Sequence, residues 1–284
     1  MRPMVMMTSL LVMSYLICHG YALATHSPLI RFPVYIESTD AFGVAFHATY
    51  PVLIERAINQ HTGKTEGRLR HVKLMRFRSA ARLGDVMLFE SSGRGSLRLI
   101  SEETKEEHFS AKGVELTEDS LGIGRSAVVL PSHQLHISKH SLYPDEYYPS
   151  NDGAALLLHT RTVFNLLERG RTDALGGPRR LRLAAASSRH IYIARISDYE
   201  RVFDIPTETP PSASFPEVAV LTQSELLGDT MVDFTQQLVF GAGPSGDHGR
   251  LLARARVTCC SVDAMTGKPL PFGEELRNTF LSQR

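Results

Sequence analysis

The chain has 284 residues, 43% hydrophobic and 21% charged, a globular composition sufficient for one large or two ordinary domains. Its formal net charge of +1 excludes an overall field that would make nucleic acid or an anionic membrane an obligatory partner. The first feature along the chain is an apolar run from Met4 to Cys18 after Met1-Arg2-Pro3, followed by a polar break and the small-residue triplet Ala22-Leu23-Ala24. That is the pattern of a secretory signal, residues 1–24, cleaved after Ala24. The run is shorter than the roughly 18 to 20 residues a helix needs to cross a bilayer, so no stable membrane span is expected after cleavage. The expected location is the secretory pathway and an endomembrane compartment, with a plastid reached through that system as the alternative.

Next comes "IESTDAFGVAFHATYPVLIER", residues 36–56, which predicts a short strand ending at Asp40 and a helix beginning near His47. Leu53, Ile54, Ala57 and Ile58 share one helical face, Thr49 is the expected cap, Pro51 falls in the first turn, and Gly63 ends the helix. Alternating segments at His71 to Phe77, Val86 to Glu90, Ser96 to Ile100 and Glu107 to Leu116 predict strands. Periodicity weakens between Leu121 and Ser141, where a boundary is expected.

The pattern then recurs. "YYPSNDGAALLLHTRTVFNLLERGR", residues 147–171, matches Tyr35, Ser38, Asp40 and His47 with Tyr147, Ser150, Asp152 and His159 at one offset of 112, and Glu55-Arg56 with Glu168-Arg169 after one inserted residue. Val163, Leu166, Leu167 and Gly170 form the second helical face, ended by Gly176-Gly177 before Pro178. Strands are expected at Ile191 to Ile196, Val218 to Ser224, Thr230 to Phe240 and Leu251 to Val262. Leu83-Gly84-Asp85 is echoed by Leu227-Gly228-Asp229, and "PTETPPSASFP" (206–216) reads as a loop insertion in the second copy. The expected class is α+β: two units, residues 28–125 and 140–284, each a helix wrapped by antiparallel strands and packed as a pseudo-dimer.

Two further stretches are assigned to structure. Cys259 and Cys260 are adjacent in a predicted strand and point to opposite faces, so no disulfide framework is expected and both read as small buried residues. "GAGPSG" (241–246) satisfies GxGxxG, but the following "RLLARARVTCC" alternates like a strand, whereas the dinucleotide fingerprint requires a helix there.

"VYIESTDAFGVAFHATYPVLIERA" resembles the opening signature of hotdog-fold acyl thioesterases of the 4-hydroxybenzoyl-CoA thioesterase and YbgC type: a tyrosine-bearing strand, Thr-Asp, a glycine three residues on, His, Tyr, then Glu-Arg-Ala. The tail "TGKPLPFGEELRNTF" is similar to that family's C-terminal end. The resemblance implies a tandem, or double, hotdog whose active sites lie where two units meet, acting on acyl-CoA or acyl-carrier-protein thioesters. No metal or redox cofactor is implied, and a homo-oligomer of double hotdogs is allowed. It further implies that Asp40 attacks the thioester carbonyl or activates a water, and that the backbone N–H at His47 polarises that carbonyl. Such chemistry needs a base or nucleophile beside the carbon and donors aimed at the oxygen, which a helix N-terminus supplies.

On this resemblance the catalytic candidates are Asp40 and His47, with Asp152 and His159 in the second copy. The substrate-binding candidates are Tyr35, Gly43, Tyr50, Tyr148 and Arg82. Gly43 permits close approach of the acyl thioester, and Arg82, with Arg76 and Arg78, is placed to meet coenzyme A phosphates. Glu55 is expected to form a salt bridge on a packed helix face. The second copy departs from the signature: Gly153 follows Asp152 directly, Ala155 replaces the glycine, and Thr162 stands at the Tyr50 position. Alternatives are a hotdog hydratase or dehydratase, whose signatures are absent, and a non-catalytic acyl-binding module. A plant plastid acyl-carrier-protein thioesterase also has two hotdogs, but its Asn-His and downstream cysteine pattern is not found.

Overall fold

The structure, a computed structural model, describes residues 30–35, 47–91, 95–118, 121, 135–181, 189–207, 216–241, 249–263 and 265–282. The expected signal at 1–24 and the loop with Asp40 and Gly43 lie outside the described residues. In chain order the elements are β1 (Ile30–Pro33), α1 (Thr49–Thr62), β2 (Arg68–Phe77), β3 (Val86–Ser91), β4 (Leu97–Ser101) and β5 (Glu107–Thr117). There follow β6 (His136–Ser141), β7 (Tyr147–Pro149), β8 (Ala155–Leu158), α2 (Thr160–Ala174), β9 (Arg189–Arg201) and β10 (Ile205–Pro206). The chain closes with β11 (Glu217–Leu226), β12 (Met231–Phe240), β13 (Arg250–Asp263) and α3 (Glu274–Ser282).

Ten strands form one antiparallel sheet in the order β1-β3-β4-β5-β2-β9-β13-β12-β11-β6. The order is mirrored about its centre: the long strand after each helix, β2 or β9, sits in the middle, and the strand before each helix region, β1 or β6, sits at an edge. At the centre β2 and β9 pair through His71 with Glu200, Val72 with Tyr199 and Met75 with Ile196. This central ladder joins the strands of both sequence copies into one sheet, so each copy needs the other to cover its innermost edge. A separate three-stranded sheet, β10-β8-β7, flanks the start of α2.

Both helices bury the faces their spacing predicts. Ile54 and Ala57 of α1, and Val163, Leu166, Leu167 and Gly170 of α2, are buried in a core that also takes Leu69, Met75, Phe109, Val220, Phe234 and Val257 from the sheet. Gly170 is there because a Cβ would lie 2.4 Å from Val220 Cγ1, so only glycine lets α2 lie this close to β11. Gly63 closes α1 with φ 68°, in the left-handed region where a side chain is disfavoured. The cap of α1 differs from expectation: Ala48 occupies it without a side-chain bond, and Thr49 is the first helical residue.

All eight strands expected from alternation are present, with bounds that differ by a few residues from those predicted. Among the elements not anticipated are β6, β8 and α3. The strand β6 presents His136, Ser138 and His140 on one face, and the Ser138 hydroxyl donates to Asp173 of α2 while lying 2.7 Å from His140 Nε2. A polar inward face carries no hydrophobic period. Strand β8 is a continuous run, Ala-Leu-Leu-Leu, which periodicity cannot separate from a helix start. Helix α3 places Leu276 and Phe280 against the core, Phe280 edge-on to Phe272 at 5.4 Å.

Several smaller readings find their geometry. Strands β12 and β13 pair antiparallel, Phe240 with Arg250, so the GxGxxG stretch lies in a strand-to-strand connection. Gly84 and Gly228 have φ of 90° and 92°, and each Leu-Gly-Asp stands at the turn entering a strand. Cys259 is buried, which pushes its thiol up to about 12 and leaves it protonated and unreactive at neutral pH. Among the described residues no helix is long and apolar enough to cross a membrane.

Candidate functional site

Helices α1 and α2 lie side by side and antiparallel, because the start of each meets the middle of the other. His47, just before α1, has Nε2 3.5 Å from Glu168 Oε2 of α2. At the opposite end Thr160, the first residue of α2, donates its hydroxyl to the Glu55 carboxyl of α1. The pairs that the sequence repeat relates, His47 with His159 and Glu55 with Glu168, are thus placed at two ends of one helix seam.

At the α1 end, the Glu168 carboxylate is paired with Arg171 one turn along the same helix. Arg171 Nη1 donates to Gln236 Oε1 at 2.6 Å, and Gln236 Nε2 donates to the Leu167 carbonyl at 2.8 Å and to Thr222 Oγ1 at 3.1 Å. This relay fixes Glu168 against β11 and β12. Burial alone would raise the Glu168 carboxyl, but the Arg171 guanidinium beside it, by charge and hydrogen bond, brings it below its ordinary value. Burial pushes His47 down to about 4; Glu168 opposes this and Arg171 adds to it. The α1 end therefore holds an ionised carboxylate, a guanidinium and a neutral imidazole at neutral pH.

A pH dependence of stability follows. Unfolded His47 takes a proton near its ordinary 6.5, whereas in the fold it does so only near 4. Its contribution is complete above pH 6.5, is lost as pH falls toward 4 and is constant below; the full shift is worth about 3 kcal/mol. Urea midpoints measured between pH 7.5 and 4.5 should fall accordingly, and His47→Gln should flatten the slope; equal slopes for both proteins would contradict the assignment.

At the α2 end, Glu55 accepts from the Leu69 N–H at 2.5 Å as well as from Thr160. Its direct donors are neutral, which corrects the salt bridge expected for it. Burial raises its carboxyl, opposed by those two hydrogen bonds and by Arg201 and Arg68 farther off. Arg68 Nη1 stands 3.4 Å from Asp204 Oδ1, Asp204 Oδ2 accepts the Leu121 N–H at 2.8 Å, and Arg201 Nη2 donates to the Leu158 carbonyl. His159 caps α2 with extended backbone, and its ring lies 4.8 Å from that of Tyr148.

The other candidates are placed as follows. Asp152 is exposed in the turn between β7 and β8, where it accepts from the Ser150 hydroxyl at 2.6 Å and the Ala154 N–H at 3.0 Å, and these bonds hold its carboxyl below the usual range. All of β8 separates it from the start of α2, an arrangement the spacing to His159 did not reveal. Tyr50 is 3% exposed, stacked on Phe109 at 5.1 Å, with its hydroxyl accepting from the Ala81 N–H at 3.2 Å. It packs the first copy's core. Tyr35 is exposed, as is Arg82, whose backbone N–H donates to Asp85 Oδ2 at 2.6 Å. The structure thus gathers His47 with Glu168 and Arg171, and His159 with Tyr148, and leaves Asp152, Tyr35 and Tyr50 away from the seam. Glu168 and Arg171 were missed as site residues; the only sequence signal was the Glu-Arg pair shared by the two copies.

No family model matches the chain, and no curated protein does. Among solved structures it is similar to a protein named as an oleoyl thioesterase from Lactobacillus plantarum, with 7% identity over 83% of this chain and 97% of that chain and a TM-score of 0.53. The 12:0-ACP thioesterase from Umbellularia californica matches with 9% identity over 82% of this chain and 97% of that chain, TM-score 0.52. An acyl-ACP thioesterase from Bacteroides thetaiotaomicron does so with 8% identity over 82% and 97%, TM-score 0.50. The large antiparallel sheet and its few helices are thus those of the hotdog fold, which this chain shares with thioesterases.

Proposed function

We propose that the chain is a double-hotdog hydrolase of acyl thioesters carried on coenzyme A or acyl carrier protein, its two units spanning residues 28–125 and 140–284. In this reading Asp40 acts as nucleophile or general base, and the backbone N–H at His47, at the start of α1, polarises the carbonyl oxygen as it becomes negative. The observation that carries the proposal is the start of α1 at a seam between the two sequence copies, with His47 facing Glu168 of the other copy, in a fold shared with thioesterases. A helix start offers aligned donors and a favourable dipole, and a neutral imidazole there adds no charge that would compete with a nearby carboxylate for the attacking water.

Purified protein offered a panel of acyl-CoA and acyl-carrier-protein thioesters of varied chain length should release free thiol. If none is turned over while acyl thioesters still bind, the chain is an acyl-binding module instead.

A further inference from the structure

We propose that the start of α2 is a carboxylate-binding site, in which Arg201 and Tyr199 of β9 hold the acid group of a hydrophobic monocarboxylate that enters beside Tyr148 and His159. This goes beyond the thioesterase reading and does not depend on it.

Two buried donors carry it. Arg201 is 3% exposed and Tyr199 is fully buried, and among the described residues neither Arg201 Nη1 nor the Tyr199 hydroxyl has a hydrogen-bond partner. A donor left unsatisfied in the interior is costly, a charged one most of all, so two such donors on one strand mark a place that receives an acceptor. Both stand at the start of α2. Arg201 Nη2 donates to the Leu158 carbonyl, two residues ahead of the helix, and the Tyr199 ring stacks on Phe164 of α2 at 4.8 Å. Burial pushes the Tyr199 hydroxyl up to about 12, so it stays protonated and able to donate at neutral pH.

The carboxylates of this cluster serve other groups. Asp204 meets Arg68 and the Leu121 N–H, Glu146 is held by Arg169, and Glu55 Oε1 accepts from the Leu69 N–H and the Thr160 hydroxyl without pairing with Arg201. The Arg201 guanidinium thus has no bonded countercharge, and an anionic acceptor suits it better than a neutral carbonyl, because charge-assisted hydrogen bonds are the stronger ones. The approach is from the surface at His159, which is exposed, its ring 4.8 Å from that of half-buried Tyr148. Burial lowers the His159 imidazole and the Arg201 charge lowers it further; burial raises the Tyr148 hydroxyl against the charges of Arg68 and Arg201. Both rings therefore stand next to the cluster. The aromatic faces of Tyr148, Phe164 and Tyr199 select an acid with an apolar body.

Calorimetric titration of the protein with octanoate, and with octanamide as the uncharged control, decides this. Octanoate should bind saturably and at least about 10-fold tighter than octanamide. Tyr199→Phe removes only the unpartnered hydroxyl, so it should weaken octanoate about 10-fold while the melting midpoint of the free protein stays the same or rises. Arg201→Met should abolish octanoate binding, and Tyr199→Phe keeps the test decisive if that variant does not fold. Absent octanoate binding, or equal binding of acid and amide, overturns the inference. So does parental octanoate affinity in Tyr199→Phe, which would place the ligand elsewhere and, with a lowered melting midpoint, assign the hydroxyl to a bridging water. Thiol release from acyl thioesters is measured separately: its absence removes the thioesterase reading and leaves this site standing, and the loss of octanoate binding leaves that reading untouched.

Discussion

Asp40→Asn is expected to lower kcat/KM on the preferred acyl thioester by about 10²- to 10⁴-fold, the range that a positioned base contributes. The amide keeps the size and much of the hydrogen bonding of the carboxylate but neither takes a proton from water nor attacks a carbonyl carbon. The loss should therefore fall on turnover while the melting midpoint stays within a degree or two of the parent. The reasoning runs from spacing to chemistry. Asp40 precedes His47 by seven residues, and His47 is fixed two residues ahead of α1, so the chain between them is short enough to keep the carboxylate within a loop's reach of the helix start. There the N–H groups at the start of α1 are aligned with its dipole, the arrangement that stabilises a developing oxyanion. Near-full activity in Asp40→Asn would move the chemistry to another residue.

What sequence alone made legible divides along physical lines. Alternation is legible where one face of a strand meets the core, as in β13, where buried Ala253, Ala255 and Val257 alternate with exposed Arg254 and Arg256. The strand β6 escaped because its inward face is His136, Ser138 and His140, with Ser138 hydrogen-bonded to Asp173 of α2 and to His140, rather than an apolar stripe. The repeat related His47 to His159 and Glu55 to Glu168, and so predicted equivalence where the environments differ. Asp152 sits in a hairpin because Ser150 and Ala154 satisfy it locally. The contacts that separate the two helix ends, Glu55 with Thr160 and Arg68 with Asp204, join residues 105 and 136 positions apart. No local pattern encodes such pairs, and they arise only once β2 and β9 bring the copies together.

The last of these contacts carries the largest expected effect on stability. Asp204→Ala should destabilise the fold by about 3–5 kcal/mol, the usual consequence of removing one partner from a buried ion pair. Asp204 is 3% exposed and Arg68 6%, so water cannot replace the lost carboxylate at either group it serves. The guanidinium loses the carboxylate at 3.4 Å, and the Leu121 N–H loses its acceptor. The position matters beyond the pair, because Arg68 opens β2 and Asp204 follows β9, the two strands that join the copies. Urea unfolding should therefore show a lower midpoint with an unchanged slope, since the same surface is exposed by a weaker fold. The double replacement Arg68→Met with Asp204→Leu separates charge from shape: it removes both ions together and should recover most of the loss, because much of the cost lies in burying the guanidinium without the Asp204 carboxylate. A double variant as unstable as Asp204→Ala would instead assign the effect to the Leu121 N–H and the geometry around it, and the seam would then depend on that hydrogen bond more than on the ion pair.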